Sequence, residues 1–242
     1  MSVTAIQNTS APKAGRRFEP THEVALHPDA LAACASLPGA HRGVRVVREM
    51  TGPIGIPDLT ALVGDASKLQ ARLRLDVPPV LNRLDAAIVA TTPVNAPRSA
   101  EWLARSLDWP IATIARRIPG LLQSGAIIQA NRNRYVRPEQ LQPLGRLFAI
   151  EAKVRDRGAA ISQARAYGAW ADGYVLIMGP LGKRPLQLLI EDVDADRGGL
   201  MVNGEWLRRP RIIQHNPMRR LWSSEHLVEA VRDPCYQPSV TP

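Results

Sequence analysis

Glu151 and Lys153 stand two residues apart at the end of a short apolar run, and together they could act on a phosphate. The run Phe148-Ala149-Ile150 predicts a buried strand, and side chains two residues apart on a strand point to the same face. Core packing is a poor explanation for an acid and an amine that lie side by side at the end of a strand. Carboxylates bind metal ions, and an ammonium group balances negative charge on a phosphate. The pair therefore predicts a site where a metal ion and a phosphate meet.

A second carboxylate, Asp58, directly follows Pro57 in a segment that predicts an edge or bulged strand. Asp58 and Glu151 offer the hard oxygen ligands that suit Mg²⁺ or Mn²⁺. A bound ion would polarise a phosphodiester and lower the pKa of an attacking water, which Lys153 would orient. Two alternatives stay open, because Asp58 is also typical of a turn and all three side chains could form surface salt bridges.

The elements around these residues predict a strand–helix–strand unit preceded by two further strands. Residues 159–171 predict an alanine-rich helix and residues 173–178 a second buried strand, which gives a parallel pair. Upstream, residues 44–50 and 54–63 predict two strands joined by a tight turn. Glu49, near the end of the first of these strands, is a candidate additional acid, and a solvated glutamate is the alternative.

The C-terminal third carries further predicted elements after the second buried strand. Residues 186–190 are apolar, and residues 191–196 then hold a run of acids whose spacing matches no calcium loop. This acidic run predicts a solvated turn. A terminal hairpin is predicted near residues 198–207, and the last helix over residues 224–231.

The sequence pattern in the middle of the chain differs and predicts helices followed by a basic hairpin. Residues 79–91 and 99–107 predict two helices, and a third begins at Ile111 and ends at Gly125. A hairpin then follows, with Asn131-Arg132-Asn133 at its tip. Pro119 lies inside the third helix, where proline removes a hydrogen bond, and it predicts a kink or a break.

Composition is that of an ordinary globular protein with a basic bias. Of the 242 residues, 45% are hydrophobic and 22% charged, and the formal net charge is +9 with a pI near 10.3. The excess comes from arginine, whose planar guanidinium suits phosphate, so DNA is the predicted partner. A basic surface kept for solubility, or the arginine usage of a GC-rich genome, is the alternative.

The cysteine usage and the lack of a recognisable targeting signal predict a cytoplasmic protein. Cys34 and Cys235 lie far apart in the sequence, which indicates no disulfide framework and fits a reducing compartment. No run of residues approaches a membrane span, and the N-terminus lacks the apolar core of a signal peptide, so no membrane partner is expected. Residues 1–20 are polar and predict a flexible basic arm.

The motif Pro57-Asp58 followed by Glu151-x-Lys153 is similar to that of the PD-(D/E)xK nuclease-like superfamily, which also contains restriction endonucleases. The resemblance implies a restriction-endonuclease-like mixed sheet core, discontinuous over residues 21–70 and 145–235. It implies Asp58 and Glu151 as metal ligands for Mg²⁺ or Mn²⁺. The implied catalytic residues are Asp58, Glu151, Lys153, Gln163 and Glu49, with Gln163 bracing the lysine or the water and sharing a helix face with Tyr167.

Residues 78–138 resemble the winged helix-turn-helix family of DNA-binding domains, on the pattern of three helices, a short turn and a basic hairpin. The resemblance implies that the third helix contacts DNA and that the hairpin is the wing. The implied DNA-binding residues are Thr113, Arg116 and Arg117 on the helix and Arg132 and Arg134 on the wing. A winged helix used only for protein contacts or dimerisation is the alternative.

These inferences predict an α/β (α+β) protein in which a winged helix is inserted into a nuclease-like core. The first functional hypothesis is a DNA-binding Mg²⁺-dependent endonuclease, a hydrolase of phosphodiester bonds. The alternative is a transcriptional regulator or DNA sensor whose nuclease fold is inactive, and a structural adaptor is a third reading. The sequence leaves open the DNA target, the choice between DNA and RNA, the pathway, and whether the protein forms a homodimer.

Overall fold

The computed structural model of the chain describes residues 3–8, 24–64, 66–232 and 236–239. The chain divides into two compact units: residues 1–65, 145–214 and 230–242 form the first, and residues 66–144 and 215–229 the second. The second unit thus starts before the predicted insertion at residue 78 and also takes a later segment. Among the described residues, no helix is both long and apolar enough to cross a membrane.

Eleven strands and eight α-helices lie in the described residues. The strands are β1 (Val3–Asn8), β2 (Val44–Arg48), β3 (Leu59–Val63), β4 (Arg98–Ser99), β5 (Ile128–Asn131), β6 (Arg134–Val136), β7 (Arg146–Lys153), β8 (Gly173–Met178), β9 (Gly199–Val202), β10 (Glu205–Arg208) and β11 (Tyr236–Ser239). The helices are α1 (His27–Ala35), α2 (Ala66–Arg74), α3 (Arg83–Thr91), α4 (Ala100–Leu107), α5 (Ile111–Gln123), α6 (Arg157–Tyr167), α7 (Lys183–Asp196) and α8 (Pro217–Arg232).

A mixed sheet forms the centre of the first unit, in the strand order β10-β9-β8-β7-β3-β2-β1-β11 over the described residues. Strand β3 is antiparallel to both of its neighbours, β2 and β7, whereas β7, β8 and β9 run parallel to one another. The chain is therefore an α+β protein with a mixed sheet, as expected in outline. Residues Val3–Asn8, part of the predicted flexible arm, form β1 beside β2. Their β-branched Val3, Thr4 and Ile6 favour extended pairing, and residues 9–20 of that arm lie outside the described residues.

Both faces of the sheet are covered, which explains why β7 and β8 are almost continuous apolar runs. One face carries Phe148 and Ile150 of β7, in a core cluster that includes residues of α1. The other face is covered by α6 and α7, whose Ala160, Ala164 and Leu189 belong to a second cluster with residues of β8 and β9. Packing from two sides fixes the direction of every side chain along β7.

The acidic run at residues 191–196 is the end of helix α7 and not the predicted solvated turn. Leu189 and Val193 are fully buried and lie four residues apart, so they give this segment an apolar helical face. The helix ends at Arg197, which has a positive φ of 59°. The helical spacing of the buried apolar residues therefore determines the structure of this segment, despite its many acidic residues.

The second unit contains helices α3, α4 and α5 and a three-stranded sheet in the order β4-β6-β5. Strands β5 and β6 form an antiparallel hairpin whose turn includes Asn133, at a φ of 58°. Helix α5 runs through Pro119 without the predicted break. Proline leaves the carbonyl of Ala115 without its helical donor, but both residues are exposed, so water can bond that carbonyl.

A fully buried ion pair lies within the second unit. The guanidinium of Arg72 donates to both carboxylate oxygens of Glu225, at 2.9 and 2.7 Å, and to the carbonyl of Val77 at 3.0 Å. The backbone nitrogen of Val80 donates to the same carboxylate at 3.0 Å. These bonds link α2 and α8 to the segment before α3, and they compensate for burying both charges.

Cys34 lies in the core of the first unit as a free, buried thiol. Burial raises the pKa of the Cys34 thiol to about 12, so it stays protonated and unreactive at neutral pH. Cys235, the other cysteine of the sequence, lies outside the described residues.

Candidate active site

The register between β3 and β7 brings Asp58 next to Glu151. Leu59 pairs with Ile150 across the two antiparallel strands, so the next step of the register sets Asp58 against Glu151. Asp58 Oδ2 accepts a hydrogen bond of 2.7 Å from the backbone nitrogen of Ala152. Two carboxylates that are distant in sequence therefore meet at the C-terminal end of β7.

Glu151 is an ionisable residue in an almost closed environment, with 2% of its surface exposed. The Tyr167 hydroxyl donates to Glu151 Oε2 at 2.9 Å, and Lys153 Nζ lies 3.1 Å from Oε1. Burial is the main cause that raises the pKa of Glu151 to about 7, and the charge of Asp58 raises it further. Lys153 and the tyrosine hydroxyl act in the opposite direction. Near neutral pH, a proton and a cation would therefore compete for this carboxylate.

Lys153 shares a face of β7 with Glu151, as the two-residue spacing predicts, and the two side chains form an ion pair. The side chain of Lys153 is 18% exposed, so its amine has access to solvent while the glutamate has almost none. The structure thus brings together three of the predicted residues: Asp58, Glu151 and Lys153.

The loop before Asp58 is held by two aromatic side chains that follow β7 in the sequence. The indole nitrogen of Trp170 donates to the carbonyl of Ile54 at 3.0 Å, and the Tyr167 hydroxyl lies 3.2 Å from the carbonyl oxygen of Ile56. A hydroxyl has one proton, so the Ile56 carbonyl and the Glu151 carboxylate share it. Tyr167 thereby connects the loop to the buried acid.

Glycines allow this loop to lie directly on the aromatic rings. A Cβ atom on Gly52 would come within 2.8 Å of the Trp170 ring, and one on Gly55 within 2.9 Å of the Tyr167 ring. Gly55 also has a φ of +76°, which favours glycine. The predicted strand over residues 54–63 was therefore too long, because β3 begins only at Leu59.

Two further predicted residues lie outside this hydrogen-bonded group. Glu49 is exposed, and its backbone nitrogen donates to the Asp58 carbonyl at 3.0 Å. Gln163 is exposed on α6, and in the part of the chain that the structure describes no hydrogen bond of its side chain is found. Tyr167, one turn further along the same helix, makes the contact to Glu151 instead.

Sequence reasoning missed the part that Trp170 and the loop play in holding Asp58. The signal was a loop with two glycines and two prolines, Gly52-Pro53-Ile54-Gly55-Ile56-Pro57, followed much later by two aromatic residues three positions apart. Such a loop indicates close backbone contact with large side chains. Nothing in the local pattern identifies those side chains.

The three predicted contact residues of α5 differ in their surroundings. Thr113 is half-buried and Arg116 is exposed. Arg117 forms a bidentate ion pair with Asp85 of α3, and the Nε to Oδ1 distance is 2.6 Å. The hydrogen bond to Asp85 raises the pKa of Arg117. Arg117 is therefore held by its own unit, whereas Arg116 is available to a partner.

The hairpin of the second unit carries the other two predicted contact residues. Arg132 lies in the turn between β5 and β6, Arg134 begins β6, and both side chains are exposed. Arginines of the first unit behave differently: Arg157 and Arg165 of α6 form ion pairs with Asp192 at 2.7 and 3.1 Å. The acidic run of α7 therefore neutralises helix α6, while the hairpin keeps its positive charge.

The residues at the end of β7 fit a hard divalent cation by their donor chemistry. Asp58 and Glu151 supply carboxylate oxygens. Burial and then the negative charge of Asp58 raise the pKa of the glutamate, so a cation beside the two acids would be stabilised. Among the described residues, no group of three or more His, Cys, Asp or Glu side chains could hold a metal ion. Mg²⁺ suits this pair, since it commonly binds through one or two carboxylates and keeps several waters.

Comparisons of this chain with protein-family models, with curated proteins and with solved structures found no match. A fold alone does not determine a function. Any function of the chain therefore rests on the chemistry of the site itself, which consists of a buried acid with a raised pKa, a second acid held beside it and a lysine with access to solvent.

Proposed function

We propose that this protein is a metal-dependent deoxyribonuclease of the PD-(D/E)xK type, which hydrolyses phosphodiester bonds of DNA with Mg²⁺ or Mn²⁺. The observation that carries the proposal is the hydrogen bond from the Ala152 nitrogen to Asp58, because Ala152 lies between Glu151 and Lys153. All three motif residues are thereby gathered at the ends of two adjacent strands. Perturbed ionisable groups gathered in this way are typical of catalytic sites.

The order of elements in the first unit supports this family. The antiparallel strands β2 and β3 are followed in the sheet by β7, which ends in the Glu-x-Lys motif, then by helix α6 and the parallel strand β8. This order agrees with the elements that the sequence predicts, two strands followed by a strand–helix–strand unit. The residues between β3 and β7 contribute none of the motif residues, which is consistent with an inserted unit.

In the proposed mechanism, Asp58 and Glu151 would hold the metal ion. When bound, such an ion polarises the phosphodiester and lowers the pKa of a bound water. Lys153 balances the negative charge of Glu151 and would donate a hydrogen bond from Nζ to the attacking water or to a phosphate oxygen. Tyr167 orients the Glu151 carboxylate through Oε2, and the Ala152 nitrogen orients that of Asp58.

DNA is the proposed substrate because residues 83–136 of the second unit form three helices and a hairpin that carries exposed arginines, in a chain of net charge +9. Three helices and a basic hairpin are the parts of a winged helix-turn-helix domain. Arg116, Arg132 and Arg134 are the proposed phosphate contacts, since Arg117 is already paired with Asp85. We further propose that the enzyme acts in the cytoplasm, and as a homodimer where both strands are cut.

Cleavage of supercoiled and linear DNA with Mg²⁺ or Mn²⁺ tests this function. We expect wild-type protein to cut, and Glu151→Gln and Lys153→Ala each to lose the activity. Glu205→Gln, which neutralises an exposed acid on β10, serves as the matched control and should cut like the wild type. Cutting that persists in both site variants, or that needs no metal ion, would contradict the proposed site.

A second candidate function is a DNA-binding regulator or sensor with an inactive nuclease fold. One observation favours it: both oxygens of Glu151 are already bonded, to Tyr167 and to Lys153, inside a nearly closed environment. This candidate predicts no cutting, together with DNA binding that depends on salt concentration. That binding should survive Glu151→Gln and fail in an Arg132→Ala/Arg134→Ala double variant.

A further inference from the structure

Two exposed isoleucines lie immediately before Asp58. Ile54 and Ile56, which we call the isoleucine tip, are 45% and 50% exposed, although Gly55 between them lies against the buried Tyr167 ring. Single exposed apolar residues are common on protein surfaces. These two differ because they alternate on one short loop that leads directly to a proposed metal ligand.

The backbone beneath the isoleucine tip is fixed. The carbonyl of each isoleucine is a hydrogen-bond acceptor for an aromatic side chain, Trp170 for Ile54 and Tyr167 for Ile56. A backbone bond of 3.0 Å from the Gly52 nitrogen to the Gly55 carbonyl closes the turn between them. The two aromatic rings pack edge to face, with centroids 6.1 Å apart. The loop therefore holds two apolar side chains in solvent at a set position relative to Asp58.

The chemistry of the tip restricts what it can contact. Isoleucine carries no charge and no hydrogen-bonding side-chain atom, so it cannot bind a phosphate or read a base edge by hydrogen bonding. Stacked duplex exposes only small apolar surfaces, chiefly the thymine methyl groups and the sugars. The large apolar surfaces of DNA are the faces of its bases, which are accessible only where a base step is opened. Apolar side chains such as isoleucine are known to insert between base steps, where they unstack and kink the duplex.

We propose that the isoleucine tip is a wedge that inserts against an unstacked base beside the phosphate to be cut. This inference rests on the proposed function, because it requires DNA at the site of Asp58 and Glu151. It assigns a substrate class: DNA that unstacks easily at the cleavage position, such as a mismatch, a junction with single-stranded DNA, or a flexible pyrimidine–purine step. Fully stacked, stiff duplex is then the poorer substrate.

The wedge is tested with duplexes that carry 2-aminopurine, whose fluorescence rises on unstacking, at a mismatch and at a stiff A-tract. Binding is followed in a Glu151→Gln background, which prevents cutting. The test variant adds Ile54→Ser and Ile56→Ser, and the matched control adds Ile212→Ser, an exposed isoleucine elsewhere in the first unit. We expect a fluorescence rise of about threefold or more at the mismatch with the control and none with the test variant.

Cleavage by the same loop variants, with Glu151 intact, distinguishes a failure of the wedge from a failure of the proposed nuclease function. The wedge predicts that the double variant loses the preference for mismatched DNA, by about tenfold or more in kcat/KM, while Ile212→Ser keeps it. Equal fluorescence and equal preference in both variants would overturn the wedge and leave the nuclease intact. If wild type and Ile212→Ser neither bind nor cut DNA, the proposed function fails, and the wedge fails with it.

A conservative variant guards against a folding defect. Ile54→Thr keeps the β-branched shape and changes only the polarity of the exposed surface, so circular dichroism and thermal unfolding should match those of the wild type. It should nevertheless lower the fluorescence rise at the mismatch. An unchanged rise in Ile54→Thr, together with an unchanged rise in Ile56→Thr, would contradict the wedge.

Discussion

Asp58 is tied to the strand that carries the other two motif residues by a hydrogen bond of 2.7 Å between its Oδ2 atom and the backbone nitrogen of Ala152. The bond holds the aspartate at the strand end, although Asp58 itself precedes β3 and belongs to no strand. The same residue lies at the end of a loop fixed by Tyr167 and Trp170. Asp58 therefore has a position set from both sides, as a preorganised ligand requires.

Asp58→Asn separates the charge of this residue from its structural bond. The amide oxygen can still accept from the Ala152 nitrogen, so thermal stability should change little, while metal-dependent cleavage should fall by about 100-fold or more. Asp58→Ala removes the acceptor as well and should cost about 1–3 kcal/mol of unfolding free energy. Cleavage rates and urea unfolding measure the two effects, and an active Asp58→Asn would contradict the role of ligand.

Tyr167→Phe removes one of the two groups that lower the pKa of Glu151. Since burial and the Asp58 charge remain, that pKa should rise above about 7, and activity that needs the ionised glutamate should require a higher pH. The measurement is the pH profile of the cleavage rate. Tyr174→Phe is the control, because that buried hydroxyl bonds Asp196 and not Glu151. A profile that stays in place for Tyr167→Phe would contradict the predicted coupling.

Glu151 should make folding stability depend on pH. Its pKa is about 7 in the folded protein and about 4.5 as an ordinary glutamate, so between these values the folded protein holds a proton that the unfolded chain has lost. Stability from this group is therefore present at low pH and is lost as pH rises through the window, by on the order of 3 kcal/mol.

Glu151→Gln removes this dependence, because glutamine does not titrate. Urea unfolding near pH 5 and near pH 8 should show the variant gaining stability relative to the wild type at the higher pH. Added Mg²⁺ should reduce that gain by stabilising the ionised glutamate of the wild type. A stability difference that is the same at both pH values would contradict the raised pKa.

The ion pair of Arg72 and Glu225 gives a prediction for the second unit alone. Arg72→Met leaves a buried carboxylate without its partner and should destabilise the protein by about 3–5 kcal/mol. Replacing Glu225 as well, by Met, should recover part of that loss, although the Val80 nitrogen then lacks its acceptor. Urea unfolding of both variants measures the difference, and a single variant as stable as the wild type would contradict the network.

Local patterns predicted the parts of the fold that depend on neighbours in the sequence. The run ending in Glu151 and Lys153, the helix after it and the strand β8 are close to the predicted elements, because each has a clear hydrophobic period. The contact between Lys153 and Glu151 follows from strand alternation alone. The proximity of Asp58 and Glu151 depends on the register of β3 and β7. The motif suggests that these two residues meet, but the hydrophobic period of the strands does not fix their register.

The features that local patterns failed to predict depend on residues distant in the sequence or on ion pairs that neutralise charged residues. The loop before Asp58 takes its shape from Trp170 and Tyr167, which follow more than a hundred positions later. The acidic end of α7 is helical because Val193 is buried and because arginines of α6 pair with its acids. Gln163 was assigned from the resemblance alone, and its side chain is exposed.

The most direct test is the rate of DNA cleavage by wild-type protein and by Lys153→Ala, measured over a range of Mg²⁺ concentrations. The proposed site predicts cutting that requires Mg²⁺ and saturates with it. It also predicts a loss of about 100-fold or more in the maximal rate for the variant, with folding intact. Absence of cutting by the wild type at every Mg²⁺ and Mn²⁺ concentration, with DNA still bound, would contradict the nuclease and favour the DNA-binding regulator.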